Sequence, residues 1–170
     1  MCEKIRWEGK RFGALLALFL VITAGASLDR HPQLAGASGD MFLRIRDWKS
    51  GQIYAEARAR IGSNLFFGWI HSQEKIPWNE YYHIDENRDL VLDAITFPAF
   101  GAGIPENKGR VCYVKDGLIH MEEICQRFKE LVWLNSHSAT RDIRLDGILV
   151  AKGSDLPHHA RLRLMVELGN

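Results

Sequence analysis

"LFFGWIHSQEKIPWNEYYHID", Leu65–Asp85, is the stretch that decides the fold. Two aromatic-rich half-strands flank a short polar segment. Pro77 stands where the second strand would open, the position at which a missing N–H does least harm. Pairing Leu65–Ser72 with Pro77–Asp85 across Gln73–Ile76 sets His71 opposite Trp78, Trp69 opposite Glu80 and Phe67 opposite Tyr82. One face then carries Leu65, Phe67, Trp69, His71, Trp78, Glu80, Tyr82 and Ile84. In that register His71 and Glu80 are diagonal neighbours, with Cβ atoms about 7–8 Å apart.

A carboxylate and an imidazole among aromatic rings are each partly desolvated, and leaving either unpaired costs about 1–3 kcal/mol. Three readings stay open. The pair fixes the hairpin register as an internal hydrogen bond; it lines a pocket and grips a small polar molecule; or it works as an acid and base. No catalytic residue is assigned, because no candidate partner stands at a diagnostic spacing. Ser72 lacks the flanking glycines of a strained nucleophile turn. Glu74, with Lys75, falls at the loop tip.

Outward from this hairpin, period-two alternation dominates. Met41, Leu43 and Ile45 alternate with Phe42, Arg44 and Arg46, and "IYAEARA" follows a "WKSGQ" turn. "LVLDAITF" follows "ENRD", while Asp116-Gly117 and Asp146-Gly147 read as two-residue hairpin turns joining "VCYVK" to "LIHMEEI" and "IRL" to "ILVAKG". "RLRLMVEL" closes the series. Ten or so short strands with turns every eight to twelve residues predict an all-β fold, an antiparallel β-sandwich or partly open barrel. Met121–Leu134 is ambiguous, because Ile124, Phe128, Leu131 and Val132 also sit at helical spacing.

The N-terminus reads as an export signal. Lys4, Arg6, Lys10 and Arg11 precede "FGALLALFLVITAGA", with small residues at Ala24 and Ala26. A helix over Phe12–Ala26 would reach only about 22 Å, short of the roughly 30 Å hydrocarbon core. Residues 1–26 are therefore expected to be a signal peptide, with an uncleaved anchor helix touching the membrane as the alternative. Residues 27–40 form a linker and 41–170 a single β domain. Removing residues 1–26 takes four Lys/Arg and two Asp/Glu from a chain of charge +1 and leaves −1. Nothing in that balance suggests a nucleic-acid partner, which would want a basic stripe.

Cys112 and Cys125 would remain in an oxidising compartment. The Asp116-Gly117 turn puts Cys112 opposite Met121 and Cys125 four positions further on. A disulfide would then need the chain to bend back.

"AFGAGIP", Ala99–Pro105, places Gly101 and Gly103 around one Ala. It is a tight loop or a small nest of backbone N–H groups beside the aromatic face. Its spacing is too short for a dinucleotide fingerprint and no helix follows, so no cofactor is expected. "NSHSATRD", Asn135–Asp142, gathers hydroxyls, His137 and Arg141 and could complete a pocket by folding over His71. His158-His159 lie beside Pro157 as a surface pair, and no metal is expected.

"WIHSQEKIPWNE", "FGAGIP" and the weaker "TRDIRLDG" together resemble the bacterial domain of unknown function 1850. The family shows His-Ser, then Glu, Pro and Glu at the spacing of Glu74, Pro77 and Glu80. It tends to carry His where Arg141 stands, which leaves open whether His137 takes that place. The resemblance covers roughly Met41–Val166 and establishes no activity. It implies a small exported or membrane-associated protein, often encoded beside components of TRAP-type transporters of the TAXI class.

The resulting expectation is an exported accessory or small-ligand-binding module. It would be periplasmic or anchored to the inner membrane facing the periplasm, with a transporter component or small polar ligand as partner. Its site would draw on His71, Ser72, Glu74, Trp78, Glu80, Gly101, Gly103, His137 and Arg141. An envelope hydrolase using the His/Glu pair and a structural protein-interaction domain are the alternatives.

Overall fold

The computed structural model describes residues 40–101 and 108–169. The leader or anchor at 1–26, the linker up to residue 39 and Gly103 lie outside the described residues. The strands are β1 (Met41–Asp47), β2 (Ile53–Ala59), β3 (Asn64–Ile70), β4 (Pro77–Ile84), β5 (Leu90–Phe97), β6 (Val111–Lys115), β7 (Leu118–Phe128), β8 (Glu130–Leu134), β9 (Thr140–Leu145), β10 (Ile148–Lys152) and β11 (Arg161–Leu168). One short 3-10 turn, Gly153–Asp155, follows β10.

All pairings are antiparallel, in a four-stranded sheet ordered β2-β1-β11-β8 and a seven-stranded sheet ordered β10-β9-β3-β4-β5-β7-β6. This is the all-β fold expected, resolved as two open sheets with no closed barrel. Their facing sides supply the core. Leu43 and Ile45 of β1 and Leu162 and Leu164 of β11 are fully buried, as are Ile84, Leu90, Ile95, Phe97, Met121 and Ile143 from the larger sheet. Burying each such side chain contributes about 1.5–3 kcal/mol, which is why the alternating strands β1 and β11 turn their apolar positions inward.

The two Asp-Gly turns form as read. Asp116 and Gly117 take φ of 52° and 75°, and Asp146 and Gly147 take 50° and 82°. Positive φ at both central residues matches the right-handed twist of the strands they join. Cys112 pairs with Met121 across the first of these turns; Cys112 is exposed and Cys125 half-buried.

Met121–Leu134 is two strands, not a helix, with Lys129 as the crossing point between the sheets. Ile119 and Met121 are buried at alternate positions and β7 is paired on both sides, so the long-range partners outweigh the local helical spacing. The irregularity that blurred the pattern is a bulge. β5 and β7 shift register between Leu92 and Ala94, and Glu123 and Cys125 opposite take φ of 57° and 54°.

Candidate functional site

β3 and β4 pair with Trp69 opposite Trp78 and Phe67 opposite Glu80. The loop closes one pair further on, where the N–H of His71 donates to the carbonyl of Ile76 at 2.9 Å. The register is thus displaced by two residues from the one read in the sequence. A slip of two leaves every side chain on its expected face but changes its neighbours.

His71 and Glu80 therefore share a face without being diagonal neighbours. Four positions along the strand, about 13 Å, separate His71 from the residue opposite Glu80. Trp78 fills that interval: its ring lies 5.8 Å from the His71 ring, Trp69 lies 5.7 Å from the same imidazole, and Phe97 stacks on Trp78 at 4.8 Å. The acid–base pair on which a hydrolase reading rests is not assembled.

Glu80 instead takes its partners from its own strand. Trp78 Nε1 donates to Oε1 at 3.1 Å and the Tyr82 hydroxyl donates to Oε2 at 2.6 Å. Residues two apart on a strand share a face, so Trp-x-Glu-x-Tyr clamps the carboxylate between two aromatic donors. Burial, reinforced by the charge and hydrogen bond of Glu80, pushes the Tyr82 phenol far above its ordinary range. Tyr82 thus remains a donor at any physiological pH.

Glu80 lines an open cleft of about 610 Å³ at the edge of the sandwich. Phe67 and Trp69 of β3 form one wall, Phe128 and Trp133 another, and Thr140 lies at its border. Among the described residues β8, which carries Trp133, pairs only with β11, at one end of its sheet. The Phe67 and Trp133 rings meet edge to face at 5.2 Å. Trp133 Nε1 is buried and has no hydrogen-bond partner among the described residues. A buried donor without an acceptor calls for an explanation such as a ligand or ion.

The remaining candidates separate into two places. At the hairpin tip Ser72 is exposed and Glu74 half-buried. The Glu74 N–H approaches His71 Nδ1 at 3.5 Å, and the Glu74 carboxylate lies where a side chain on Gly101 would stand. The hairpin therefore touches Gly101 through Glu74. His137 is engaged elsewhere: its Nε2 bonds the Leu156 carbonyl at 2.9 Å and its ring packs 4.6 Å from His158, which stacks on His159. Arg141 is exposed on β9. The polar loop does reach the end of β3, because Ile70 N donates to the Ala139 carbonyl at 2.8 Å, but it brings Thr140 rather than His137 to the cleft. Among the described residues no three His, Cys, Asp or Glu are grouped to hold a metal ion.

Residues 66–149 match a family described as a domain of unknown function, DUF1850. They belong to the DUF1850 family. The matched stretch runs from β3 to β10 and contains the His71 hairpin, the glycine loop and β8, whereas β1, β2 and β11 lie outside it. No curated protein and no solved structure matches the chain.

Two features of this DUF1850 domain escaped the sequence reading. Phe128 and Trp133 sit in the stretch whose period was ambiguous, so their wall of the cleft was not foreseen. The second is a pair on the opposite side of the sheet, His83 Nδ1 with Asp93 Oδ2 at 2.7 Å. The turn closes with the Asp85 N–H on the Asp89 carbonyl, one residue inside "ENRD", which sets His83 opposite Val91 and Asp93 diagonal to it; counting outward from the whole of "ENRD" sets His83 opposite Leu92 and misses the pair.

Proposed function

We propose that this DUF1850 domain is an exported binding module for a small molecule, taken up in the Glu80 cleft, and that it serves as an accessory beside a TRAP-type transporter component. One observation carries the binding reading: a carboxylate oriented by Trp78 and Tyr82 lines an opening walled by the rings of Phe67, Trp69, Phe128 and Trp133. Aromatic walls with a few placed polar groups are what ligand sites use, and the volume falls within the usual few hundred cubic ångströms. Export is supported by the basic residues and short apolar run before Ala26, and the transporter association by the resemblance of the hairpin and glycine-loop words.

Native mass spectrometry of the purified protein, after incubation with a small-molecule cell extract and desalting, tests the binding. The expected result is a discrete added mass that Trp133→Phe and Glu80→Gln both reduce. An unchanged bare mass for the wild type would sink the reading.

A protein-interaction role has separate support in β6. Every residue of this edge strand is exposed, Val114 at 71%. Unpaired strand edges accept other chains. Val114→Glu should then leave the unfolding midpoint unchanged while abolishing co-purification with a transporter component. Retention at the wild-type level would remove that role.

A further inference from the structure

The charge pattern of the cleft narrows what it can hold. Among the described residues its lining includes two carboxylates, Glu80 and Glu130, and no Lys, Arg or His. The nearest cation to Glu130 is Arg163, whose Nη1 is 3.9 Å away and which does not line the opening. Around Glu80 stand the rings of Phe67, Trp69, Phe128 and Trp133, whereas Glu130, three positions from Trp133 along β8, projects from the other face of that strand.

Each candidate ligand class meets this lining differently. An anion would face Glu80 with no compensating positive group, and like charges at close range in a partly desolvated site repel strongly. A neutral apolar molecule would cover Glu80 and gain nothing from it. A cation gains from the carboxylate and from the ring faces together, with each cation–π contact contributing about 0.5–2 kcal/mol. Glu80 has room for it. An ionised carboxylate offers about four acceptor sites, and Trp78 and Tyr82 occupy one on each oxygen.

We infer that the cleft takes a small organic cation, an amine or quaternary ammonium compound. This rests on the ligand-binding reading above and names its ligand class. The ammonium group lies against Glu80 between the aromatic walls, with the Trp133 ring as one of its cation–π faces.

Choline is a suitable probe because it has an uncharged carbon isostere, neohexyl alcohol, and an anionic relative, tert-butylacetate. Tryptophan fluorescence of the full chain is titrated with each at constant ionic strength held by sodium chloride. Choline should saturate the signal about tenfold more tightly than the neutral isostere, with no response to the anion. Glu80→Gln, whose amide oxygen still accepts one of the two aromatic donors, should erase the preference for charge. Trp133→Phe, which keeps the packing on Phe67, should weaken choline while preserving the preference. Equal affinity for neohexyl alcohol or for the anion, with Trp133→Phe still weakening it, overturns the cation assignment and leaves the binding reading standing. Saturation by none of the three also overturns the assignment, and the extract experiment then decides the broader reading on its own.

Discussion

β4 is shared by two hairpins, each with a histidine and a carboxylate on one face, and only the β4–β5 hairpin brings its pair into contact. There the turn closes with Ile84 opposite Leu90 and His83 opposite Val91, so Asp93 is two positions beyond and diagonal to His83. Asp85 enforces that turn by accepting the N–H groups of Asn87 and Asp89 at 2.8 and 2.9 Å. Across the β3–β4 hairpin the loop closes at His71 and Ile76, which leaves Glu80 four positions beyond its histidine. The face is the same in kind, but the distance from the turn differs. That distance decides whether two polar groups become partners. Where it fails, the carboxylate is satisfied along its own strand and stays open to a ligand.

The strongest way to break this arrangement is to remove Trp78, which stands between His71 and Glu80 and is 6% exposed. Trp78→Ala should cost about 3–5 kcal/mol in urea unfolding, as large-to-small changes at buried aromatics do. A loss below about 1 kcal/mol would mean that the stack on Phe97 does not hold the inner face. Next in size is Glu80→Leu, which leaves Trp78 Nε1 and the Tyr82 hydroxyl without their acceptor. The expected cost is about 1–3 kcal/mol. Glu80→Gln should recover most of it, and equal losses for the two would show that shape rather than hydrogen bonding is at stake.

The outer pair gives a smaller effect with a sign of its own. Burial holds the Asp93 carboxyl above its ordinary 3.8, although the hydrogen bond and charge of His83 pull it back. A folded-state value above the unfolded one means that the folded chain keeps this proton longer. Ionising Asp93 therefore subtracts stability as pH rises through the window above 3.8. Asp93→Asn removes that term. Its stability relative to wild type should grow as pH climbs from 3.8 and then level off, read by urea unfolding across the acid range. A relative stability that shrinks over the same range would show the pair to be net stabilising for the ionised carboxylate.

The fold was legible because the core alternates in β1 and β11, and because the Asp-Gly turns fix local pairing without help from the rest of the chain. The His71 hairpin was legible in its facing and not in its register. "HSQEKIP" contains no residue pair that selects a turn, and Lys75, the residue that takes φ of 56°, has no side chain suited to that conformation. The cleft was least legible. Phe128 and Trp133 reach it only because β7 bulges opposite Asp93 and the chain then crosses to the smaller sheet, and both events depend on strands remote in sequence. Trp-x-Glu-x-Tyr needed no tertiary knowledge and could have been read from the period-two face alone.

The smallest effect sharpens the comparison at the hairpin tip. A methyl on Gly101 would overlap the Glu74 carboxylate, whereas one on Gly153 would overlap the Thr140 backbone. A carboxylate at the end of a flexible stem can swing away, and a strand backbone cannot. Gly101→Ala should thus cost less than about 1 kcal/mol, and Gly153→Ala about 1–3 kcal/mol. If the Gly101 penalty comes from moving Glu74, it should shrink in the Glu74→Ala background, because the obstacle is gone. A double-mutant cycle by urea unfolding reads that coupling. Strict additivity would mean that the hairpin and the glycine loop are near each other without depending on each other. The β3–β4 hairpin would then be held only by its inner-face aromatics, as the β4–β5 hairpin is held by Asp85 and its turn.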